Sequence, residues 1–419
     1  MKYLDRFIFN NDKSIKSQSV IWNIVASLLN AIISAYLLLI VTRFIGVKVG
    51  GIFVIASTLA YQMLTIGNYG MRNYQATDTL KKFSFSEYLS SRFITSILMI
   101  IASFIIIIYN GYTINKALII LFFILFKWVD AIEDVYHGFY QQNNRLDVAC
   151  RAQSIRYIVS LIFFTVVIII TKDLLISCIT SFVFSFIFFV WINKYIKKRF
   201  SFKKKTKHKN VLQLLYECFP LFISSYLYLY ICNSPKYSID KVLSDSFQTY
   251  FGIIFMPVFV INLISTLIYR PLLTGLAETW NSGKYKEMIK SIVKQISIIG
   301  VITVMAVGFA YFFGTQVLGL IYGVDISKYK LHLSLLMIGG GLNAIVGYLL
   351  SIVTIVRAQK LVIFGYGVVA GISVLISKML VVKYKLLGAA ILYDVLILLL
   401  GVYFIVLVII FYKKNVKKV

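Results

Sequence analysis

Charged residues are scarce in this sequence, and acidic residues are the scarcest of them. Asp and Glu together number 16 of 419 residues, and all charged residues make up 14% of the chain, whereas a soluble domain carries about 25%. Hydrophobic residues make up 60%, and the mean hydropathy is +0.85. This composition excludes an ordinary soluble domain and predicts a membrane protein. Because the apolar runs are long and continuous rather than alternating, helices are favoured over a β-barrel.

Cysteine and the common catalytic motifs are also sparse. The four cysteines are scattered without C-x-x-C spacing, which predicts neither a disulfide framework nor a zinc site. The phosphate-binding pattern G-x-x-x-x-G-K-[ST] is absent. We therefore predict no catalytic residues, no metal and no cofactor. We expect any transport to be driven by a gradient or by another subunit.

Apolar runs of membrane-spanning length recur along the chain. A bilayer core of about 30 Å requires about 20 apolar residues per helix. The twelve predicted spans are 20–42, 49–69, 90–109, 116–137, 154–171, 174–194, 212–232, 247–270, 291–313, 331–356, 361–380 and 387–411. The most basic segment, KKRFSFKKKTKHKN, separates the sixth span from the seventh. It predicts an N-terminal six-helix bundle at 1–196, a basic cytoplasmic linker at 197–210 and a C-terminal six-helix bundle at 211–419.

The basic residues are distributed unevenly between the two sides of the membrane. With a cytoplasmic N-terminus, the inner segments hold 31 Lys and Arg and the outer segments hold 11. This bias follows the positive-inside rule and predicts that both termini are cytoplasmic. The membrane topology therefore explains the formal net charge of +27, and we expect no nucleic-acid partner.

The two halves of the sequence echo each other weakly. GGIFVIA (50–56) opens the second span and FGIIFMP (251–257) opens the eighth. YGMRNYQATDTL (69–80) and YRPLLTGLAETW (269–280) follow those two spans. Two six-helix repeats in the same orientation are typical of transporters, with a site between the halves.

The fourth span ends in a stripe of ionisable side chains: Lys127, Asp130, Glu133, Asp134 and His137. At about 100° per residue, they share one third of the helix surface with Gln141. If the helix left the bilayer near Trp128, the remaining span of 116–127 would be too short to cross. We therefore expect Lys127 and Asp130 to lie within the membrane, where charges usually face a wet cavity or each other. For Asp134 and His137, a position outside the membrane remains an equal alternative.

Four stretches together resemble the polysaccharide-repeat flippases of the multidrug/oligosaccharidyl-lipid/polysaccharide (MOP) exporter superfamily. Residues 19–62 are similar to the family's opening, in which one helix ends in Thr-Arg-x-x-Gly and the next begins with Gly and an aromatic residue. Residues 68–78 resemble the loop after the second helix, and 129–151 resemble the end of the fourth helix. Residues 269–288 resemble the family's Pro-containing end of the eighth helix. The resemblance covers nearly the whole chain.

This resemblance implies a fold and a function. The fold would be two six-helix bundles around a central cavity, working by alternating access. The substrate would be an undecaprenyl-diphosphate-linked oligosaccharide, moved from the cytoplasmic to the outer leaflet of a bacterial plasma membrane for capsular, exopolysaccharide or O-antigen assembly. Its partners would be this lipid-linked oligosaccharide, membrane lipids and polysaccharide assembly proteins.

An anionic diphosphate headgroup needs cations along its path, and a coupled transporter needs groups that bind a proton or sodium. The candidate headgroup-binding residues are Arg43, Lys127, Arg270 and Lys378. The candidate ion-coupling residues are Asp130, Glu133, Asp134, His137 and Asp394. Two alternatives stay open: Arg43 and Arg270 lie at helix ends and could only reach toward lipid headgroups, and Asp394 could pair with Lys378.

Three other functions compete with this prediction. A drug or organic-cation antiporter of the same superfamily should have an acidic, aromatic cavity, and Lys127 argues against one. A lipid II flippase of the superfamily often carries two additional helices, which the twelve spans do not include. A membrane enzyme such as a polymerase or ligase normally has a sizeable outer domain, and the longest predicted outer segments (233–246 and 314–330) are too short for one.

Overall fold

The computed structural model describes residues 2–9, 14–78, 80–200 and 207–416, and the regular elements in these ranges are all helices. The chain divides into two compact units, Met1–Tyr226 and Leu227–Val419. The bundle boundaries predicted from the basic linker stay a prediction, and residues 201–206 of that linker lie outside the described residues.

The first unit is built from α1 to α8 and the beginning of α9. Their bounds are α1 Lys2–Ile8, α2 Ile15–Phe44, α3 Val47–Asn68, α4 Met71–Thr77, α5 Phe85–Asn110, α6 Ile114–Gln142, α7 Leu146–Thr171, α8 Leu174–Lys197 and α9 His208–Val242. Because the division between the units falls at Tyr226, α9 continues from the first unit into the second.

The second unit contains the rest of α9 and seven further α-helices among the described residues. They are α10 Asp245–Phe255, α11 Val258–Tyr269, α12 Leu273–Asn281, α13 Tyr285–Phe309, α14 Thr315–Tyr322, α15 Lys330–Ile355 and α16 Gln359–Val416. Pro257 separates α10 from α11 because proline has no N–H to donate within a helix. Lys385, with φ 50° and ψ −130°, is non-helical and divides α16 into two parts.

The described helices account for all twelve predicted spans. Among the described residues, ten helical segments are long and apolar enough to cross a membrane by length and composition. One of them, Gln359–Asn415, is divided at Lys385 and supplies two of the predicted spans. The fourth span lies on α6, which is not among those ten segments because its stripe adds further charged residues to the helix. The predicted fold class, an all-helical multi-pass membrane protein, is confirmed.

α6 is the central helix of the first unit and contacts α3, α4, α5, α7 and α8. Its apolar side packs on α8, where the rings of Tyr136 and Phe189 lie 5.9 Å apart within a buried cluster that includes Val129 and Ile192. In lipid, such van der Waals packing and interhelical polar contacts hold helices together. Since neighbours surround α6, its charged stripe is also enclosed by the unit.

The beginning of α9 is fixed to the first unit by polar contacts. Glu217 accepts hydrogen bonds from the Tyr74 hydroxyl and, at 2.7 Å, from Lys82 Nζ. Glu87, at the start of α5, accepts a 2.7 Å hydrogen bond from the Asn210 side chain. These contacts explain why the first part of α9 belongs to the first unit.

Candidate functional site

The charged stripe of α6 lies inside the first unit and not on a solvated extension of the helix. α6 runs without interruption from Ile114 to Gln142. Lys127 is fully buried, Glu133 is 1% exposed and His137 is 2% exposed. The stripe therefore has to be neutralised by groups on the neighbouring helices, because a buried charge without a partner is costly.

Arg156 of α7 neutralises the middle of the stripe. Its guanidinium donates to Asp130, to Glu133 Oε2 at 2.7 and 3.1 Å, and to Ser185 Oγ of α8 at 2.6 Å. Lys127 Nζ donates to the other oxygen of Asp130 at 2.9 Å. Two cations thus face two carboxylates in a balanced buried tetrad.

Lys127 is held on several sides in this arrangement. Besides its ion pair with Asp130, its ammonium lies 4.4 Å from the ring centroid of Tyr61 and 5.8 Å from that of Tyr157. Aromatic faces attract a desolvated cation. Lys127 would therefore have to leave Asp130 and both rings before it could bind another anion.

Asp134 lies between two arginines at the next turn of α6. Arg92 Nη2 of α5 is 2.9 Å from one carboxylate oxygen, and Arg72 Nη1 of α4 is 3.2 Å from the other. Arg72 also reaches His137 Nδ1 at 3.3 Å and Gln141 Oε1 at 3.5 Å. Because arginine can only donate, Nδ1 of His137 must accept, which leaves the proton of the neutral ring on Nε2.

A glycine in α3 allows Arg92 to reach this position. A Cβ at Gly67 would lie 2.8 Å from Met99 Sδ and 2.9 Å from the Cβ of Ala131, so only glycine permits this close approach of α3 to α5 and α6. The Gly67 carbonyl accepts hydrogen bonds from Arg92 and from Thr95 Oγ1, the latter at 2.8 Å. One guanidinium nitrogen of Arg92 is thereby held by the Gly67 carbonyl and the other by the carboxylate of Asp134.

A polar cavity of about 220 Å³ adjoins the charged network within the first unit. Its lining comes from α2, α3, α4, α6 and α7: Asn23, Ala26, Ser27, Asn30, Leu64, Asn68, Arg72, Asp130, Asp134, His137, Cys150, Gln153 and Tyr157. Tyr157 donates to Asn30 at 3.3 Å, and Gln153 donates to Tyr157 at 3.3 Å. A concave site with convergent polar groups is a reasonable candidate for ligand binding.

The other predicted site residues lie apart from this cluster. Arg43 is exposed in the last turn of α2, Arg270 is exposed at the end of α11, and Lys378 is exposed in α16. Asp394 is partly buried in α16, and its Oδ1 has no hydrogen-bond partner among the described residues. Neither an ion pair nor a hydrogen bond joins Asp394 to Lys378 in the described part of the chain. The structure thus brings together only the predicted residues of α6.

Three arginines of the network are not among the residues predicted from the sequence: Arg72, Arg92 and Arg156. By the positive-inside rule they are basic residues of the predicted cytoplasmic segments, whereas each side chain contacts a carboxylate of α6. A signal for the cavity was present in α2, where Asn23 and Asn30 are seven residues apart and therefore share a helix face.

This arrangement of helices is the fold of the MOP transporters. An inward-facing multidrug resistance MATE family transporter of the MOP superfamily aligns with a TM-score of 0.64 and 11% identity, covering 91% of this chain and 96% of that chain. The lipid II flippase MurJ, in its inward closed conformation, aligns with a TM-score of 0.70 and 15% identity, covering 94% and 90%. At these identities the likeness shows the fold alone.

Sequence comparison identifies the family. The family described as polysaccharide biosynthesis protein matches residues 17–270, and the chain belongs to it. The capsular polysaccharide biosynthesis protein CapF of Staphylococcus aureus is 25% identical over 377 residues, covering 87% of this chain and 92% of that protein. The predicted resemblance to polysaccharide flippases of the MOP superfamily is confirmed by the family and by the fold.

Proposed function

We propose that this chain is a flippase that carries an undecaprenyl-diphosphate-linked oligosaccharide repeat unit from the cytoplasmic to the outer leaflet of a bacterial plasma membrane. The repeat unit would serve capsular, exopolysaccharide or O-antigen assembly. Membership of the polysaccharide biosynthesis family carries this proposal, and the name of its staphylococcal relative supports the capsular branch. The helical fold shared with MOP transporters supports transport in place of enzymatic chemistry.

The headgroup of such a substrate is an anionic diphosphate, which arginine and lysine bind through charge-assisted hydrogen bonds. We assign Arg43, Arg270 and Lys378 to its path because all three are exposed. Lys127 can bind the headgroup only after its ammonium has separated from the carboxylate of Asp130. The lipid tail would stay in the bilayer during transport.

Transport would proceed by alternating access of the two units, coupled to protons or sodium. Asp130, Glu133 and Asp134 are supported as coupling residues by their ion pairs with arginines, since protonation or sodium binding would weaken those pairs. His137 and Asp394 remain in the proposal because each has a buried polar atom without a hydrogen-bond partner among the described residues.

The charge of the cavity disfavours an organic-cation antiporter. Asp130 and Asp134 line the cavity, but Asp130 is already paired with Lys127 and Arg156, and Asp134 with Arg72 and Arg92. An organic cation would find no uncompensated carboxylate among them. The main alternative is flipping of lipid II, which has the same diphosphate chemistry.

Depletion of the chain from its host tests the proposal. We expect surface polysaccharide to disappear while its lipid-linked repeat unit accumulates, because synthesis would continue without export. Extraction and mass spectrometry of the lipid-linked sugars measure this accumulation, and re-expression of the chain is the control. Accumulation of lipid II with normal surface polysaccharide would favour the alternative, and accumulation of neither lipid would contradict both.

A further inference from the structure

Arg72 is the most loosely held arginine of the charged network. Its contacts with Asp134, His137 and Gln141 measure 3.2, 3.3 and 3.5 Å. Its side chain is 28% exposed and lines the cavity, whereas the side chain of Arg92 is 1% exposed. Arg72 can therefore turn toward a ligand at little cost to the packing around it.

Positive charge is in excess where Arg72 meets the cavity. Lys127 and Arg156 are balanced by Asp130 and Glu133. Arg72 and Arg92, however, share the single carboxylate of Asp134. Within the network, four cations thus face three carboxylates, and the unbalanced cation is at the edge of the cavity.

The rest of the cavity offers neutral hydrogen-bonding groups. Asn23, Asn68 and Gln153 contribute amide side chains to its lining. His137 also lines it, and Nε2 of this 2% exposed ring has no hydrogen-bond partner among the described residues. The volume of about 220 Å³ is several times the roughly 30 Å³ that one water molecule occupies in the liquid.

We infer that this cavity binds a diphosphate ester through Arg72, and that Asp134 is the internal anion that the ligand replaces at the guanidinium. Arg92 makes the exchange possible because it keeps Asp134 paired after Arg72 has turned away. Without Arg92, the exchange would leave a carboxylate without a cation. The inference rests on the proposed flippase function and assigns the diphosphate a site within the first unit.

Calorimetric titration of the purified full-length chain with farnesyl diphosphate and with inorganic diphosphate tests the inference. Replacing Arg72 by Gln should weaken binding of both ligands by about tenfold or more, because a charge-assisted hydrogen bond is lost. Arg72→Lys should bind with intermediate affinity. Asp134→Asn should bind about tenfold more tightly, because the competing anion is removed.

Arg145→Gln is the matched control. Arg145 pairs with one carboxylate, that of Asp147, and does not line the cavity, so its replacement should leave diphosphate binding unchanged. If Asp134→Asn unfolds because Arg92 loses its partner, the comparison of Arg72→Gln with Arg145→Gln is sufficient to test the inference. Binding by Arg72→Gln within about twofold of the unaltered chain would overturn the inference, as would no binding by the unaltered chain.

The two ligands distinguish the possible sources of the diphosphate. Tighter binding of farnesyl diphosphate than of inorganic diphosphate supports a lipid-linked ligand. Equal binding of the two would contradict a lipid-linked ligand and favour a soluble phosphate ester. The outcome is separable from that of the proposed function. A depleted strain that accumulates repeat units, together with normal diphosphate binding by Arg72→Gln, would remove this inference alone.

Discussion

Arg156 carries most of the compensation for the buried acidic residues of α6. It contacts Asp130, Glu133 and Ser185 and is fully buried. Lys127 contacts only one of the two carboxylates. Removing one member of a buried ion pair is far more costly than replacing both members by apolar residues, because the remaining charge stays desolvated.

Replacing Arg156 by Met should therefore destabilise the protein by about 3–5 kcal/mol, the range observed when a buried pair is broken. Lys127→Met should cost less, because Asp130 keeps its contact with Arg156. Thermal unfolding of the purified variants measures which of the two loses more stability. Lys194→Met, at an exposed position of α8, is the control and should unfold close to the unaltered chain. Equal unfolding temperatures for all three variants would contradict the assigned role of Arg156.

At this scale the sequence predicted the charged residues of α6 but not the arginines that pair with them. The stripe from Lys127 to His137 could be predicted because its spacing places all its charges on one helix face. Its partners could not, because Arg72, Arg92 and Arg156 come from three other helices, and nothing local distinguishes them from basic loop residues. When the carboxylate that pairs with an arginine lies on another helix, the sequence shows only a basic residue near the end of an apolar span, which is also what a loop residue looks like.

The contact between α4 and α6 is the element-scale feature that positions Arg72. α4 is only seven residues long and packs on α6. A Cβ on Gly138 of α6 would collide with the side chain of Gln75 of α4. Gln75 is 1% exposed, so its side chain has little room to move away. The distance between the two helices therefore depends on glycine at this position.

Gly138→Ala should destabilise the protein by about 1–3 kcal/mol, as overpacking of a close contact does. Adding Gln75→Ala should restore much of this loss, because the colliding atoms are removed. The double-mutant cycle, measured by thermal unfolding, isolates the interaction. Gly367→Ala in α16, where a new Cβ has open space, should be neutral or slightly stabilising. Additive effects of the two replacements would show that α4 and α6 are not in this contact.

Helix positions could be predicted from the sequence better than helix ends. Every apolar run falls on a helix because a bilayer requires its spans to satisfy their own backbone hydrogen bonds. The helix ends differ more from the ends of the predicted spans. α7 begins at Leu146, not near 154, and α9 continues to Val242, past 232. Lys236, which belongs to the predicted outer segment 233–246, consequently lies within α9.

On the scale of the whole molecule, the charged network is confined to one of the two units. All its members lie within Met1–Tyr226, although the sequence echoes between the halves predicted related bundles. The same fold serves a MATE multidrug transporter and the lipid II flippase MurJ. A fold shared by such different transporters does not determine the substrate. The assignment of a lipid-linked oligosaccharide therefore depends on the family and on the chemistry of the site.

Translocation by the purified chain in lipid vesicles tests this assignment most directly. The vesicles would contain a polyprenyl-diphosphate oligosaccharide, and an impermeant glycosidase would report how much of the sugar reaches the opposite leaflet. We predict that the chain transfers the sugar faster than protein-free vesicles do, and that a proton or sodium gradient changes this rate. Transfer no faster than in protein-free vesicles, by folded protein and under either gradient, would contradict the proposed flippase function.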